Sequence, residues 1–157
     1  MDKNLENITC VEILLVEDNE ADIDLTREAL KEFKILNNLH VVKNGEDALQ
    51  FIYQQGDYSE KPTPDLVLLD LNLPKKNGLE VLEDIKNHKD LRSIPVVILT
   101  TSSAEEDIVK SYKLQASCYI QKPIDLNEFL KVVKTFGNFW FSIVKYPPNK
   151  QSDRGNY

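Results

Sequence analysis

Leu66-Val67-Leu68-Leu69-Asp70-Leu71 is an apolar run of strand length interrupted by a single acid. A strand with one face in water alternates apolar and polar residues. This one is apolar on both faces, so it belongs between two layers of helix in a parallel sheet. Runs of similar length occur at 11–16, 39–42, 94–99 and 118–120. The intervening segments 21–36, 45–55, 79–88 and 104–114 carry apolar residues at helical spacing, and a last helical pattern runs from Asp125 to about Val144. Strand and helix therefore alternate throughout, which predicts a doubly wound α/β fold. Asn44, with Asp47 three residues on, reads as a helix cap, as does Asp125. Lys61-Pro62-Thr63-Pro64 stops one element just before the third strand. The tail 146–157, with Pro147-Pro148 and polar residues, reads as loose.

The 157 residues suit one domain, and the formal charge of −7 disfavours nucleic-acid backbones and anionic lipid as partners. No apolar run exceeds four residues, far short of the ~20 needed to cross a bilayer. Met1-Asp2-Lys3-Asn4 lacks the basic-then-apolar layout of a secretion signal, so a cytoplasmic protein is expected. Cys10 and Cys118 form no CxxC and read as small core residues. The five glycines are never closer than eleven positions, which excludes GxGxxG and the P-loop, and His40 and His88 do not form HExxH.

In an open parallel sheet, ligands bind beyond the carboxyl ends of the strands. The residues found there are Glu17 and Asp18 after the first strand, Asp70 after the third, Thr100 after the fourth and Lys122-Pro123 after the fifth. Asp70 is hardest to read as a bland loop acid, because an unpaired charge at the end of a buried strand is costly. If these groups converge, three carboxylates face one ammonium, and a magnesium ion would cancel the two uncompensated charges. With neither thiolate nor imidazole in the set, a hard cation that works with phosphate is the natural occupant. The site reads as phosphoryl chemistry, with Asp70 as the nucleophile and Glu17 and Asp18 as a metal-holding pair. An aspartyl phosphate at Asp70 would need new donors, and Lys122 and the Thr100 hydroxyl supply them. A loop that moves with Thr100 would make the site a switch.

Val16-Glu17-Asp18-Asn19, Leu68-Leu69-Asp70-Leu71-Asn72-Leu73-Pro74, Gly78, Leu99-Thr100 and Gln121-Lys122-Pro123 together resemble the receiver domain of two-component response regulators, over residues 8–145. The resemblance implies a five-stranded parallel sheet of order 2-1-3-4-5. It also implies that Asp70 accepts phosphate from a histidine kinase, and that Mg²⁺ is bound by Asp18, Asp70 and the backbone carbonyl of Asn72, with Glu17 acting through a metal-bound water. Thr100 and Lys122 match the phosphate-sensing hydroxyl and the phosphate-binding lysine, and Tyr119 matches the aromatic that turns inward after activation. Two residues depart from the pattern: Glu17 stands where aspartate is commonest, and Thr101 stands where a smaller residue is frequent, crowding the space Tyr119 needs. Asn19-Glu20-Ala21-Asp22 and the ending Phe139-Trp140-Phe141-Ser142-Ile143-Val144-Lys145-Tyr146-Pro147-Pro148-Asn149 resemble more narrowly the single-domain regulators that partner cyanobacterial phytochromes. That likeness implies a light-regulated kinase as phosphodonor.

In the last helical pattern Leu126, Phe129, Leu130, Val133, Trp140 and Val144 form the stripe that covers the sheet. A second stripe, Val132, Phe136, Phe139 and Ile143, is rotated away from it, and aromatics there point to a symmetric homodimer. Burial of that stripe by a bend at Gly137 is the alternative. Two other function classes fit less well. A Mg²⁺-dependent phosphohydrolase using Asp70 would usually carry a second acid/base carboxylate near the nucleophile, yet Asn72 stands two residues on. A flavin-binding or non-phosphorylating module conflicts with Glu17-Asp18-Asn19-Glu20 after the first strand and with retention of every charged member of the site. With little room for a separate output domain and an acidic charge, output is expected to come from a changed surface read by a protein partner.

Overall fold

The computed structural model describes residues 10–32, 36–101 and 105–122, together with 125, 127–129, 131, 132 and 135. Strands β1 (Val11–Val16), β2 (Asn37–Val42), β3 (Leu66–Leu69), β4 (Val96–Thr100) and β5 (Cys118–Gln121) form one sheet, ordered β2-β1-β3-β4-β5. Every neighbouring pair is parallel. Helices α1 (Glu20–Lys31), α2 (Gly45–Ile52), α3 (Gly78–Asn87) and α4 (Glu105–Lys113) connect them, with a 3₁₀ turn at Gly56–Tyr58. This is the doubly wound, flavodoxin-like architecture expected from the sequence.

The burial of β3 explains the sheet. All four of its residues are fully buried. Val67 and Leu69 join Leu14, Val16, Val96 and Ile98 against Phe51 of α2 and Val81, Leu82 and Ile85 of α3. Leu66 and Leu68 turn the other way, with Ile13, Leu15, Val97 and Leu99, against Ile23, Ala29 and Leu30 of α1 and against Phe129. Two apolar layers with one sheet between them give β3 no polar position until it ends. Residues 127–129, 131, 132 and 135 are helical, and Asp125 Oδ1 accepts the Glu128 N–H at 3.1 Å, so the expected cap is present. Asn44 likewise caps α2 through the Asp47 N–H. Asn77 and Glu80 form a reciprocal capping box on α3.

Several boundaries differ from those expected. Helix α1 stops at Lys31, and Leu36, 57% exposed, gives its carbonyl to the Val11 N–H to start the β1–β2 ladder. Pairing of Val11 with Asn37 then extends β2 two residues before its apolar portion. Strand β4 begins at Val96, because Pro95 has no N–H to donate and serves only through its carbonyl, which accepts from Val67. The loose tail at 146–157 lies outside the described residues.

Candidate functional site

The parallel registers bring the strand ends together: Val16 lies beside Leu69, Leu69 beside Ile98, and Thr100 beside Gln121. The ladder continues one residue further, with Asp70 N–H donating to Val16 O at 3.0 Å and Lys122 N–H to Thr100 O at 2.7 Å. Glu17, Asp70, Thr100 and Lys122 are thereby delivered to one edge, and all four are buried. Glu17, Asp18 and Asp70 each present an oxygen within 4.8 Å of the others, Asp18 being the exposed member. Among the described residues this is the one cluster of acids, histidines or cysteines close enough to share a metal ion.

Lys122 closes the site. Its Nζ lies 2.5 Å from Glu17 Oε1, 2.8 Å from Asp22 Oδ2 and 3.1 Å from Asp70 Oδ2. Asp22 is not among the site residues expected from the sequence. There it is an ordinary first-turn acid, of the kind the helix dipole favours, and the clue to more is that Lys122 has three protons to place. With Asp22 included, four carboxylates face one ammonium, one negative charge more than the strand ends alone imply. Burial pushes the Glu17 carboxyl up to about 7, helped by the Asp70 charge and opposed by the Lys122 hydrogen bond. For Lys122, burial pulls the other way, but hydrogen bonds to Asp22 and Glu17 and the charges of Asp70 and Glu17 outweigh it and hold the ammonium above its ordinary value.

The donor set fits a hard divalent cation: all oxygens, two of three carboxylates buried, the third open to solvent, and excess negative charge to neutralise. Asn72 N–H donates to Asp70 Oδ1 at 3.1 Å, fixing the carboxylate, while the Asn72 side-chain amide donates to Thr100 Oγ1 at 3.2 Å and Thr101 Oγ1 at 3.3 Å. The loop carrying Asn72 is held at both ends by glycines. A Cβ on Gly78 would sit 2.3 Å from the Asp70 carbonyl oxygen, and one on Gly45 would sit 2.0 Å from that of Lys76. Tyr119 is half-buried and packs on the α2–α3 side of the sheet. Val132 is half-buried against the opposite layer, alongside Phe129, while Phe136, Phe139, Ile143 and Pro123 lie outside the described residues.

A doubly wound sheet with an acid pair after β1, an acid after β3, a hydroxyl ending β4 and a lysine after β5 defines a receiver. The chain belongs to the response regulator receiver domain family, whose model matches residues 13–134. It is 47% identical over 135 residues to response regulator Rcp1 of Synechocystis sp., an alignment covering 86% of this chain and 92% of that protein. The crystal structure of the Mn²⁺-bound form of Rcp1 superposes with a TM-score of 0.74 at 48% identity, covering 83% of this chain and 94% of that one. The phosphorylated cyanobacterial phytochrome response regulator RcpA gives a TM-score of 0.76 at 46% identity, covering 85% and 96%. The family is one of signalling switches rather than enzymes. Among the described residues no helix is long and apolar enough to cross a membrane.

Proposed function

We propose that this chain is a cytoplasmic single-domain switch that accepts a phosphoryl group on Asp70 from a histidine kinase of the phytochrome type. The observation that carries the reading is the convergence of Glu17, Asp18 and Asp70 within 4.8 Å, with Lys122 Nζ 3.1 Å from Asp70 Oδ2. An Asp70 oxygen attacks the phosphorus of phosphohistidine. The P–N bond breaks as the P–O bond forms, and the imidazole leaves with the electron pair. Glu17, Asp18, Asp70 and the Asn72 backbone carbonyl would hold Mg²⁺, which supplies charge neutralisation at the phosphoryl oxygens. Lys122 exchanges Asp70 Oδ2 for a phosphoryl oxygen. Thr100 turns its hydroxyl to another, which breaks the bond from the Asn72 amide and moves the loop beyond β4. Tyr119 moves into the space vacated. Asn72, whose amide engages both threonines, favours a switch over a phosphohydrolase, which would usually carry an acid/base carboxylate near the nucleophile.

Radiolabel transfer tests the reading. A phosphorylated phytochrome-type kinase is expected to pass its label to the wild-type chain, and Asp70→Asn is expected to accept none. Label retained by the kinase in the presence of wild-type chain would count against it. Phe136, Phe139 and Ile143 carry the proposed homodimer surface, to which Val132, packed in part against the core, contributes only its exposed portion, and the output is a changed surface read by a downstream protein. Phe136→Ala with Phe139→Ala is expected to sediment as monomer at micromolar protein where wild type sediments as dimer. A wild type that is monomeric with and without phosphate removes the dimer.

A further inference from the structure

Three acceptors surround the three protons of the Lys122 ammonium, and two of them, Glu17 and Asp70, already have a part in the proposed chemistry. Asp22 has none: it is outside the cluster that could share a metal ion. Its place is nonetheless tightly fixed. The Asp22 N–H donates to Asn19 Oδ1 at 3.0 Å, and its carbonyl accepts from Thr26 Oγ1 at 2.9 Å. The Asn19 N–H in turn donates to Glu17 Oε2 at 3.2 Å, so the turn that carries Asp22 is tied to the buried glutamate. Lys122, by contrast, is a flexible four-carbon stem just after the edge strand β5.

We propose that Asp22 is a positioning residue for Lys122, holding the ammonium beside Asp70 both before and after the phosphoryl group arrives. This rests on the reading of Asp70 as phosphoacceptor. On phosphorylation of the carboxylate the contact between Lys122 and Asp70 Oδ2 passes to a phosphoryl oxygen, while the contact with Asp22 persists. The lysine is not re-aimed at the moment of reaction, and its rotamer entropy has been spent in folding. Asp22 also adds negative charge beside a site that receives an anion. That effect has the opposite sign: were it dominant, removing Asp22 would accelerate phosphorylation.

The test uses the full chain with Mg²⁺ and acetyl phosphate, following adduct formation by intact mass, alongside the ¹⁵N signal of the Lys122 ammonium. Asp22→Ala, which deletes the acceptor, is expected to slow adduct formation by about tenfold, in line with loss of one charge-assisted hydrogen bond at a partly exposed site. It is also expected to lose the ammonium signal to fast exchange. Asp22→Asn, which keeps an acceptor oxygen and drops the charge, is expected to stay within about threefold of wild type and to keep the signal. Adduct formation by Asp22→Ala at the wild-type rate or faster overturns the positioning role, as does an Asp22→Asn protein as slow as Asp22→Ala. If the wild type forms no adduct, it is the assignment of Asp70 that fails. The ammonium signal then still decides the role of Asp22, which is overturned if Asp22→Ala leaves that signal unchanged.

Discussion

Lys122→Ala is expected to lower the melting temperature of the metal-free protein by about 9 °C at pH 8, equivalent to roughly 3 kcal/mol. Among the described residues the lysine is the one cation within hydrogen-bonding distance of Glu17 and Asp70, and the side chains of all three are less than a tenth exposed. Truncating it leaves buried carboxylates facing one another with nothing to offset them. The loss depends on pH. The folded Glu17 carboxyl, up to about 7, binds a proton more tightly than the unfolded chain does at its ordinary value of 4.5. Between those values the folded state holds the extra proton, so this group favours folding as pH falls and its contribution disappears as pH rises through about 7. Lys122 lowers this carboxyl, so its removal raises it further; the variant then holds a proton that the wild type has released, and its deficit is largest above pH 7 and smaller at pH 5.5. Added Mg²⁺ is expected to recover part of it at pH 8, since a bound cation replaces the missing charge. Thermal unfolding with EDTA and with Mg²⁺ at both pH values checks this, and a variant as stable as wild type in EDTA at pH 8 would show that the ammonium is not what holds the cluster together.

Gly45→Ala is expected to weaken divalent-cation binding by about tenfold and to destabilise the fold by about 2 kcal/mol, by forcing backbone apart at a close contact. The added methyl would lie 2.0 Å from the Lys76 carbonyl oxygen and 2.7 Å from its carbon, distances no side-chain rotation relieves. Gly45 opens α2, and the chain it touches leads back through Pro74 and Leu73 to Asn72. Moving that segment disturbs the Asn72 N–H that orients Asp70 and the carbonyl proposed as a metal ligand. Gly56→Ala is the control. Gly56 has a left-handed φ of 58°, so alanine there is strained, yet its nearest contact is the Gln50 side chain at 3.8 Å. It is expected to cost about 1 kcal/mol and leave cation affinity unchanged. Titration calorimetry on the two variants separates loop displacement from general loss of stability, and wild-type affinity in Gly45→Ala would contradict the coupling.

Much of this is legible in the chain because burial on both faces leaves an unmistakable trace. Residues 66–69 and 96–99 are uninterrupted apolar runs, and the polar residue that ends each run is the one the fold collects at its edge. Strand β2 is fainter, since Asn37, Asn38 and His40 owe their extended conformation to pairing with β1 and not to apolar content. The end of α1 is obscured for a related reason: helical spacing continues to Leu36, but the demand of β1 for a partner stops the helix first. Asp22 escapes a reading of the sequence because its role depends on a lysine one hundred positions away, a pairing that only the assembled sheet makes. The grip of Gly45 on the Asn72 loop is likewise a contact between separate elements, with no periodicity to announce it.

Intact mass spectrometry after incubation with Mg²⁺ and a small acyl phosphate tests the phosphoacceptor assignment most directly. The wild type is expected to gain one phosphoryl group and to lose it again on standing, and Asp70→Asn is expected to gain none. A wild type that never gains the group, or an Asp70→Asn protein that gains it as readily, would contradict the account.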